Sequence, residues 1–260
     1  MITGGGRGLG REFAAALAHS GASVLICGRH ADTLDATTAD LAHARGTVLS
    51  VVADVTDPAA VDAAVKVADE SFGGIDVLIN NAAVFGPAGP TWKTDEAKWW
   101  RAMEVNLRGA ALVTRAFLPQ MVERGSGRVI NVVSRAGKLR WPSASAYAVS
   151  KAAVIALTAN LEGELRKTGV TVLAFDPGLV DAGMTRTHLD RGRTGVPWAD
   201  DAITWAEKMR ASGAFTDLET AVGGLLCAVA GAADHLSGRY TTAGELMASA
   251  LPRIGEGVDR

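Results

Sequence analysis

Short runs that are apolar at almost every position alternate along this chain with longer segments whose apolar residues recur every three or four places. The short runs, at residues 23–27, 48–53, 77–80, 129–133 and 170–175 with a later one near 239–241, predict strands covered on both faces. Between them the helical spacing predicts helices at 9–19, 32–44, 59–72, 95–123 and 145–167, with Gly21 closing the first. This alternation, unbroken to about residue 180, predicts repeated βαβ units: an α/β fold, a doubly wound parallel sheet with helices on both faces. It forms three layers and a single domain over residues 1–260.

Two places depart from the rhythm. Residues 183–214 are polar, contain Trp198 and Trp205, and are punctuated by Gly192, Gly195 and Pro197; they read as a substrate lid or as a helical excursion over the surface. At the other end, only Met1 and Ile2 precede Thr3, where a central strand should carry several apolar residues. Three missing buried aliphatics would cost on the order of 5 to 9 kcal/mol, so the natural start is expected upstream or the record trimmed.

Composition narrows the function. With 48% hydrophobic and 21% charged residues and a net charge of −2, the chain is neither disordered nor basic enough to suggest nucleic acid as a partner. It has no apolar run of about 18 residues and no leader-like start, which predicts a cytoplasmic protein without a membrane partner. Cys27 and Cys227 sit in apolar surroundings and read as two buried thiols in a reducing compartment. The five histidines show no ligand spacing, so no metal site is expected. Glycine, at 30 residues beside only 8 prolines, should mark places where a side chain would obstruct the backbone.

One such place is Thr3-Gly4-Gly5-Gly6-Arg7-Gly8-Leu9-Gly10, between the apolar start and the first helix. Glycines there let the chain turn tightly and let a helix N-terminus approach a pyrophosphate. The Thr-Gly-x-x-x-Gly-x-Gly spacing resembles the nucleotide loop of the short-chain dehydrogenase/reductase family, whose fold is Rossmann-like. Further matches follow in family order: Asp54-Val55, Asn80-Asn81-Ala82-Ala83, Asn106, Ser134, Tyr147-Ala-Val-Ser-Lys151 and Pro177-Gly178. The resemblance covers residues 1–182 well and the rest loosely. It implies a cofactor site of Thr3, Gly4, Gly6, Arg7, Gly8, Leu9, Gly10, Asp54, Val55, Asn81, Ala82, Tyr147, Lys151, Pro177, Gly178 and Val180. Two positions depart from the family: Ala83 replaces a glycine, and Ala182 stands where a threonine often meets the nicotinamide carboxamide, with Thr185 the expected substitute.

Cofactor choice follows from charge. The second predicted strand ends Cys27-Gly28-Arg29-His30, and Gly28 stands where an NAD-selecting site usually places a carboxylate. Arg7 and Arg29 could clamp a 2'-phosphate or be ordinary surface arginines; the expected cofactor is NADP(H), with NAD(H) second.

Tyr147 and Lys151, four apart, fall on one helix face. A tyrosine working near neutrality needs its pKa lowered by about three units, roughly 4 kcal/mol. An ammonium about 5 Å away supplies on the order of 3 kcal/mol at an effective dielectric of about 20. By resemblance, Tyr147 exchanges the substrate proton, Ser134 hydrogen-bonds the reacting oxygen, Lys151 holds the nicotinamide ribose and Asn106 positions a water linking Lys151 to solvent. The implied reaction is hydride transfer to or from a small carbonyl or alcohol substrate, the rival being a non-catalytic dinucleotide-binding protein. Ser134, Trp141, Met184 and Trp198, with Trp205, suggest a largely apolar substrate pocket. Trp92, Trp99 and Trp100 read as packing, with the active-site mouth as the alternative. The long helices carrying Asn106 and Tyr147 resemble those of the family's dimer interfaces, so a homodimer or homotetramer is expected.

Overall fold

A computed structural model describes residues 1–250. Seven parallel strands form one sheet in the order β3-β2-β1-β4-β5-β6-β7. They are β1 (Ile2–Thr3), β2 (Val24–Gly28), β3 (Val48–Val52), β4 (Val77–Asn80), β5 (Gly127–Val132), β6 (Val170–Asp176) and β7 (Tyr240–Thr242). The helices are α1 (Gly8–His19), α2 (Ala31–Asp40), α3 (Pro58–Phe72), α4 (Glu96–Met103), α5 (Ala110–Arg124), α6 (Ser145–Leu165), α7 (Gly183–Arg191), α8 (Pro197–Ala211), α9 (Leu218–Val229) and α10 (Ala243–Ala250). Helix α3 shows how local chemistry sets such bounds: the Asp57 carboxylate accepts from the Ala59 N–H, Pro58 opens the first turn, and Gly73 ends the helix with φ 70°.

Period-two alternation sends neighbouring strand residues into opposite layers. Leu25 and Cys27 join Val61, Phe117 and Met121 on one face, while Val24 and Ile26 join Phe13, Phe175, Leu225 and Leu246 on the other. Phe13, Phe117 and Phe175 are wholly buried, and each contributes about 1.5 to 3 kcal/mol relative to an exposed ring. Cys27 is sealed in this core, and burial pushes its thiol up to about 12. Cys227 is only half-buried, contrary to the expectation of two buried thiols.

The short β1 holds the centre of the sheet. Ile2 aligns with Ile26 of β2 and Ile79 of β4, and the Thr3 hydroxyl accepts from the Asn81 and Ala82 N–H groups at 2.9 and 3.0 Å. Strand order reverses between β1 and β4, which opens a crevice at the carboxyl edge. The predicted helix at 95–123 is divided: a π turn at Glu104–Gly109 separates α4 from α5. A Cβ on Gly109 would lie 2.6 Å from Val55 Cγ2, so the loop after β3 presses against the wider turn. The segment 183–214, which the sequence left as lid or excursion, contains α7 and α8. No described helix is long and apolar enough to cross a membrane.

Candidate active site

The nucleotide loop leaves β1 backbone first. Gly4 and Gly8 have φ 68° and 55°, and a Cβ on Gly10 would lie 2.3 Å from the Gly4 carbonyl oxygen. The loop enters α1 with no side-chain cap and no acidic residue in the first turn, so the first N–H groups are free to meet an anion. That arrangement fits the pyrophosphate of a dinucleotide. Thr3 and Asn81 brace it: Asn81 Nδ2 donates to the Thr3 and Gly4 carbonyls at 2.9 and 3.3 Å. Gly6 turns toward α2, where its carbonyl accepts from Thr37 Oγ1 at 3.2 Å.

Other predicted cofactor residues occupy the same edge. Asp54 Oδ2 pairs with Arg101 at 2.8 Å and its Oδ1 accepts from Thr56, which together hold the carboxyl below its usual range. Val55 is buried and packs against the π turn. Arg7 and Arg29 are exposed and make no ion pair among the described residues. Beyond β6, Pro177 and Val180 are buried, and a Cβ on Gly178 would strike the Thr216 hydroxyl. Ala182 precedes α7, and Thr185 lies in its first turn. A Cβ on Gly8 would lie 2.6 Å from Gly183 Cα, so the loop after β6 rests on the nucleotide loop. The sequence reading missed this contact; its signal was a second glycine directly after Ala182.

Ser134 follows β5 and caps a short turn, its Oγ accepting from the Ala136 N–H at 3.2 Å. Its hydroxyl lies beside the Tyr147 phenol. The expectation for Tyr147 is corrected in direction: desolvation by burial pushes the phenol up to about 12, and the nearby Ser134 hydroxyl offsets only part of this. Lys151 does not reverse the shift, because its Nζ donates to the Val132 carbonyl at 2.7 Å and sits 5.8 Å from the Tyr147 ring centroid. Burial also pulls the Lys151 ammonium down to about 8, opposed by the buried Asp176 carboxylate. Asp176 is held by the Tyr240 hydroxyl and accepts from the Gly178 N–H at 2.9 Å.

Asn106 lies buried in the π turn. Its Oδ1 accepts from the Val84 N–H at 2.8 Å, and its Nδ2 donates to the Val84 carbonyl and the Ser150 hydroxyl, both at 2.9 Å. The side chain is thus committed to the chain itself. Asn80 points elsewhere, donating to Thr114 and Asn131 in a buried polar chain.

Above Tyr147 the side chains are aromatic. Phe85 stacks on Tyr147 with centroids 5.3 Å apart, and Trp141 and His188 meet the same Phe85 ring edge-on at 5.6 and 4.9 Å. Burial, and secondarily Arg191, lowers the His188 pKa and favours the neutral imidazole. Trp141 and Trp198 line one cavity of about 310 Å³ with Trp205, whereas Met184 is not on its wall. Phe85 and His188 escaped the sequence reading; the signal for Phe85 was an aromatic two places beyond Asn81-Ala82-Ala83. Trp99 donates to Ser145 Oγ at 3.0 Å and so packs onto the start of α6, while Trp92 and Trp100 face solvent. The described residues contain no cluster that could hold a metal ion.

A doubly wound sheet with a glycine cradle at its switch point and a Ser134–Tyr147–Lys151 group beside it defines a dinucleotide-type oxidoreductase scaffold. The chain belongs to the short chain dehydrogenase family, whose description matches residues 1–191. An uncharacterised oxidoreductase of Staphylococcus aureus strain MRSA252 is 38% identical over 189 residues, covering 72% of this chain and 80% of that protein. The short chain dehydrogenase pigC of Monascus ruber is 38% identical over 185 residues, covering 68% of this chain and 61% of that protein. Among solved structures, actinorhodin polyketide ketoreductase with NADPH has a TM-score of 0.84 and 28% identity, covering 93% of both chains. NAD+-bound xylitol dehydrogenase has a TM-score of 0.84 and 27% identity, covering 93% of this chain and 95% of that one.

Proposed function

We propose that this protein transfers a hydride between NADP(H) and a small carbonyl or secondary alcohol, with Tyr147 as the general acid/base. The observation that carries this reading is the convergence of Ser134, the Tyr147 phenol and buried Lys151 on the edge where the glycine cradle opens. Bound reduced nicotinamide would supply the hydride. Ser134 would hydrogen-bond the substrate oxygen as charge develops, and Tyr147 would give that oxygen its phenolic proton. With its pKa raised to about 12, the phenol is protonated at neutral pH and can act as the proton donor when a carbonyl is reduced. Lys151 would exchange the Val132 carbonyl for a ribose hydroxyl, and Asn106, through the π turn it holds, would position the water linking Lys151 to solvent. Phe85 would keep bulk water from the phenol.

The preference for NADP(H) rests on Gly28, Arg7 and Arg29. A Cβ at Gly28 would lie 3.6 Å from Leu34, an ordinary contact, so this position could carry a carboxylate and does not. The second reading, NAD-linked alcohol oxidation, draws on the likeness to the NAD+-bound xylitol dehydrogenase. Residues 183–214 would form the lid, Thr185 would approach the carboxamide in place of Ala182, and the helices bearing Asn106 and Tyr147 would join copies into a cytoplasmic homodimer or homotetramer.

The test is a ketone, aldehyde and alcohol panel assayed with both cofactors on wild type and Tyr147→Phe. Loss of the hydroxyl should lower kcat by about 10² or more while cofactor binding, read by fluorescence, persists. Turnover that survives Tyr147→Phe, or a tenfold preference for NADH, overturns the corresponding part of the reading. Gly28→Asp should move the preference from NADPH toward NADH by about tenfold, near 1.4 kcal/mol.

A further inference from the structure

The cavity beyond Trp141 has a chemistry that the hydride reaction alone does not require. One wall is a single face of α8: Trp198, Asp201, Ala202 and Trp205 recur at helical spacing. The opposite wall is the turn Trp141-Pro142-Ser143-Ala144. Ser143 has φ 65°, a left-handed conformation uncommon for serine, and its carbonyl accepts from the Gly89 N–H at 2.8 Å. Trp198 packs beside the same Gly89, where a Cβ would lie 3.5 Å from the indole. Trp141 and Trp205 meet with centroids 5.3 Å apart at 51°. Trp141 in turn stands 6.3 Å from the Tyr147 ring, so the cavity begins one ring away from the phenol.

Three indoles line the cavity, and Asp201 is the only charged residue among its described lining residues. Its carboxylate has no partner among the described residues. The neighbouring Asp200 is occupied: it accepts from the Thr194 N–H and hydroxyl at 2.6 and 2.9 Å and from the Gly195 N–H at 3.1 Å. The nearby Arg193 is likewise engaged, by Glu207 at 3.0 Å and Thr204 at 2.7 Å. Asp201 is exposed at the cavity mouth, as are Trp198 and Trp205, and its charge there would repel an anion. Indole faces beside an unpaired carboxylate attract a weakly hydrated organic cation.

We propose that Trp141, Trp198, Trp205 and Asp201 form a cage for an alkylated ammonium group, and that the substrate is a carbonyl or alcohol bearing that cation a few bonds from the reacting carbon. The proposal rests on the oxidoreductase reading for its second half only, because cation binding can be measured without turnover. The decisive experiment uses two ketones of equal length, one ending in trimethylammonium and the other in the isosteric tert-butyl group, assayed by NADPH consumption. The cationic ketone should have a KM at least about tenfold lower, and the ratio should shrink as ionic strength rises. Asp201→Asn and Trp205→Leu should each bring the ratio toward unity. An equal or better KM for the tert-butyl ketone, or a ratio untouched by both substitutions, overturns the cage.

Quenching of indole fluorescence by tetramethylammonium, compared with tert-butanol, gives a second readout. If neither ketone is turned over, the oxidoreductase reading fails while saturable quenching that is weakened in Asp201→Asn still upholds the cage. If the tert-butyl ketone is reduced in a Tyr147-dependent way and tetramethylammonium does not quench, the reading stands and the cage falls.

Discussion

The nucleotide-loop edge and the helical segment at 183–214 are built on opposite plans. Around Thr3, Gly4, Gly10 and Asn81 backbone meets backbone, and a single added carbon at Gly10 would lie 2.3 Å from a carbonyl oxygen. In α7 and α8 the contacts are long side chains on the surface: Arg193 with Glu207, and Arg186 and Arg210 with Asp181. Backbone packed on backbone leaves the nucleotide loop little room for adjustment. The segment at 183–214 can exchange such side chains while leaving the cradle intact, because half-exposed ion pairs contribute only about 0 to 1 kcal/mol each.

The largest expected effect therefore lies in the cradle. Gly10→Ala places its methyl against the Gly4 carbonyl and Asn81 Nδ2, the group that ties β4 to β1. Overpacking together with the lost bonds should cost about 3 kcal/mol or more, seen as a lower urea midpoint. Cofactor affinity should fall by more than tenfold. A midpoint within about 0.5 kcal/mol of wild type would mean that the cradle yields as readily as the surface helices.

Next comes the proton balance of the buried pair between the two regions. The Lys151 ammonium titrates at about 8 when folded and near ~10.4 when unfolded, so folding expels its proton between those values. The unfolded chain binds more protons in that window, and stability contributed through Lys151 rises with pH by up to roughly 3 kcal/mol. Cys27 acts oppositely: its thiol is raised to about 12 and stays protonated where an unfolded one ionises, which removes stability above about pH 8.5. The measurement is consequently a difference, wild type against Lys151→Met in urea at pH 8 and pH 10. The wild type should gain on the variant across that interval, and a constant difference would place Lys151 in water.

The same division governs how much could be read from sequence. Nearly unbroken apolar runs such as 170–175, interrupted only by Thr171, betray strands buried on both faces, and Tyr147-x-x-x-Lys151 needs only helical spacing to put both groups on one face. The π turn at Glu104–Gly109 left no such mark, since apolar spacing over 95–123 suits one straight helix and the break arises where Val55 presses on Gly109. The direction of the Tyr147 shift was illegible for a related reason: it depends on burial and on Lys151 choosing the Val132 carbonyl. Phe85 is fourth in line after Asn81 and has no period of its own, yet it touches Tyr147, Trp141 and His188. The α8 face was legible in principle, from Pro197 at a helix start and the 198, 201, 202, 205 spacing that follows.

The smallest expected effect is the sharpest test of the contrast. Arg193 donates to Glu207 Oε2 at 3.0 Å and to Thr204 Oγ1 at 2.7 Å, with both charged side chains about half-exposed. Arg193→Ala should change stability by no more than about 1 kcal/mol, and the change should shrink in high salt. Its effect on KM should nevertheless exceed its effect on Tm, because the bond anchors the start of the face that carries Trp198 and Trp205. Cofactor affinity should not move, since no described contact of Arg193 reaches the cradle. If Arg193→Ala weakened cofactor and substrate alike, α8 would be mechanically continuous with the nucleotide loop through Gly183 and Gly8, and the two plans would be one.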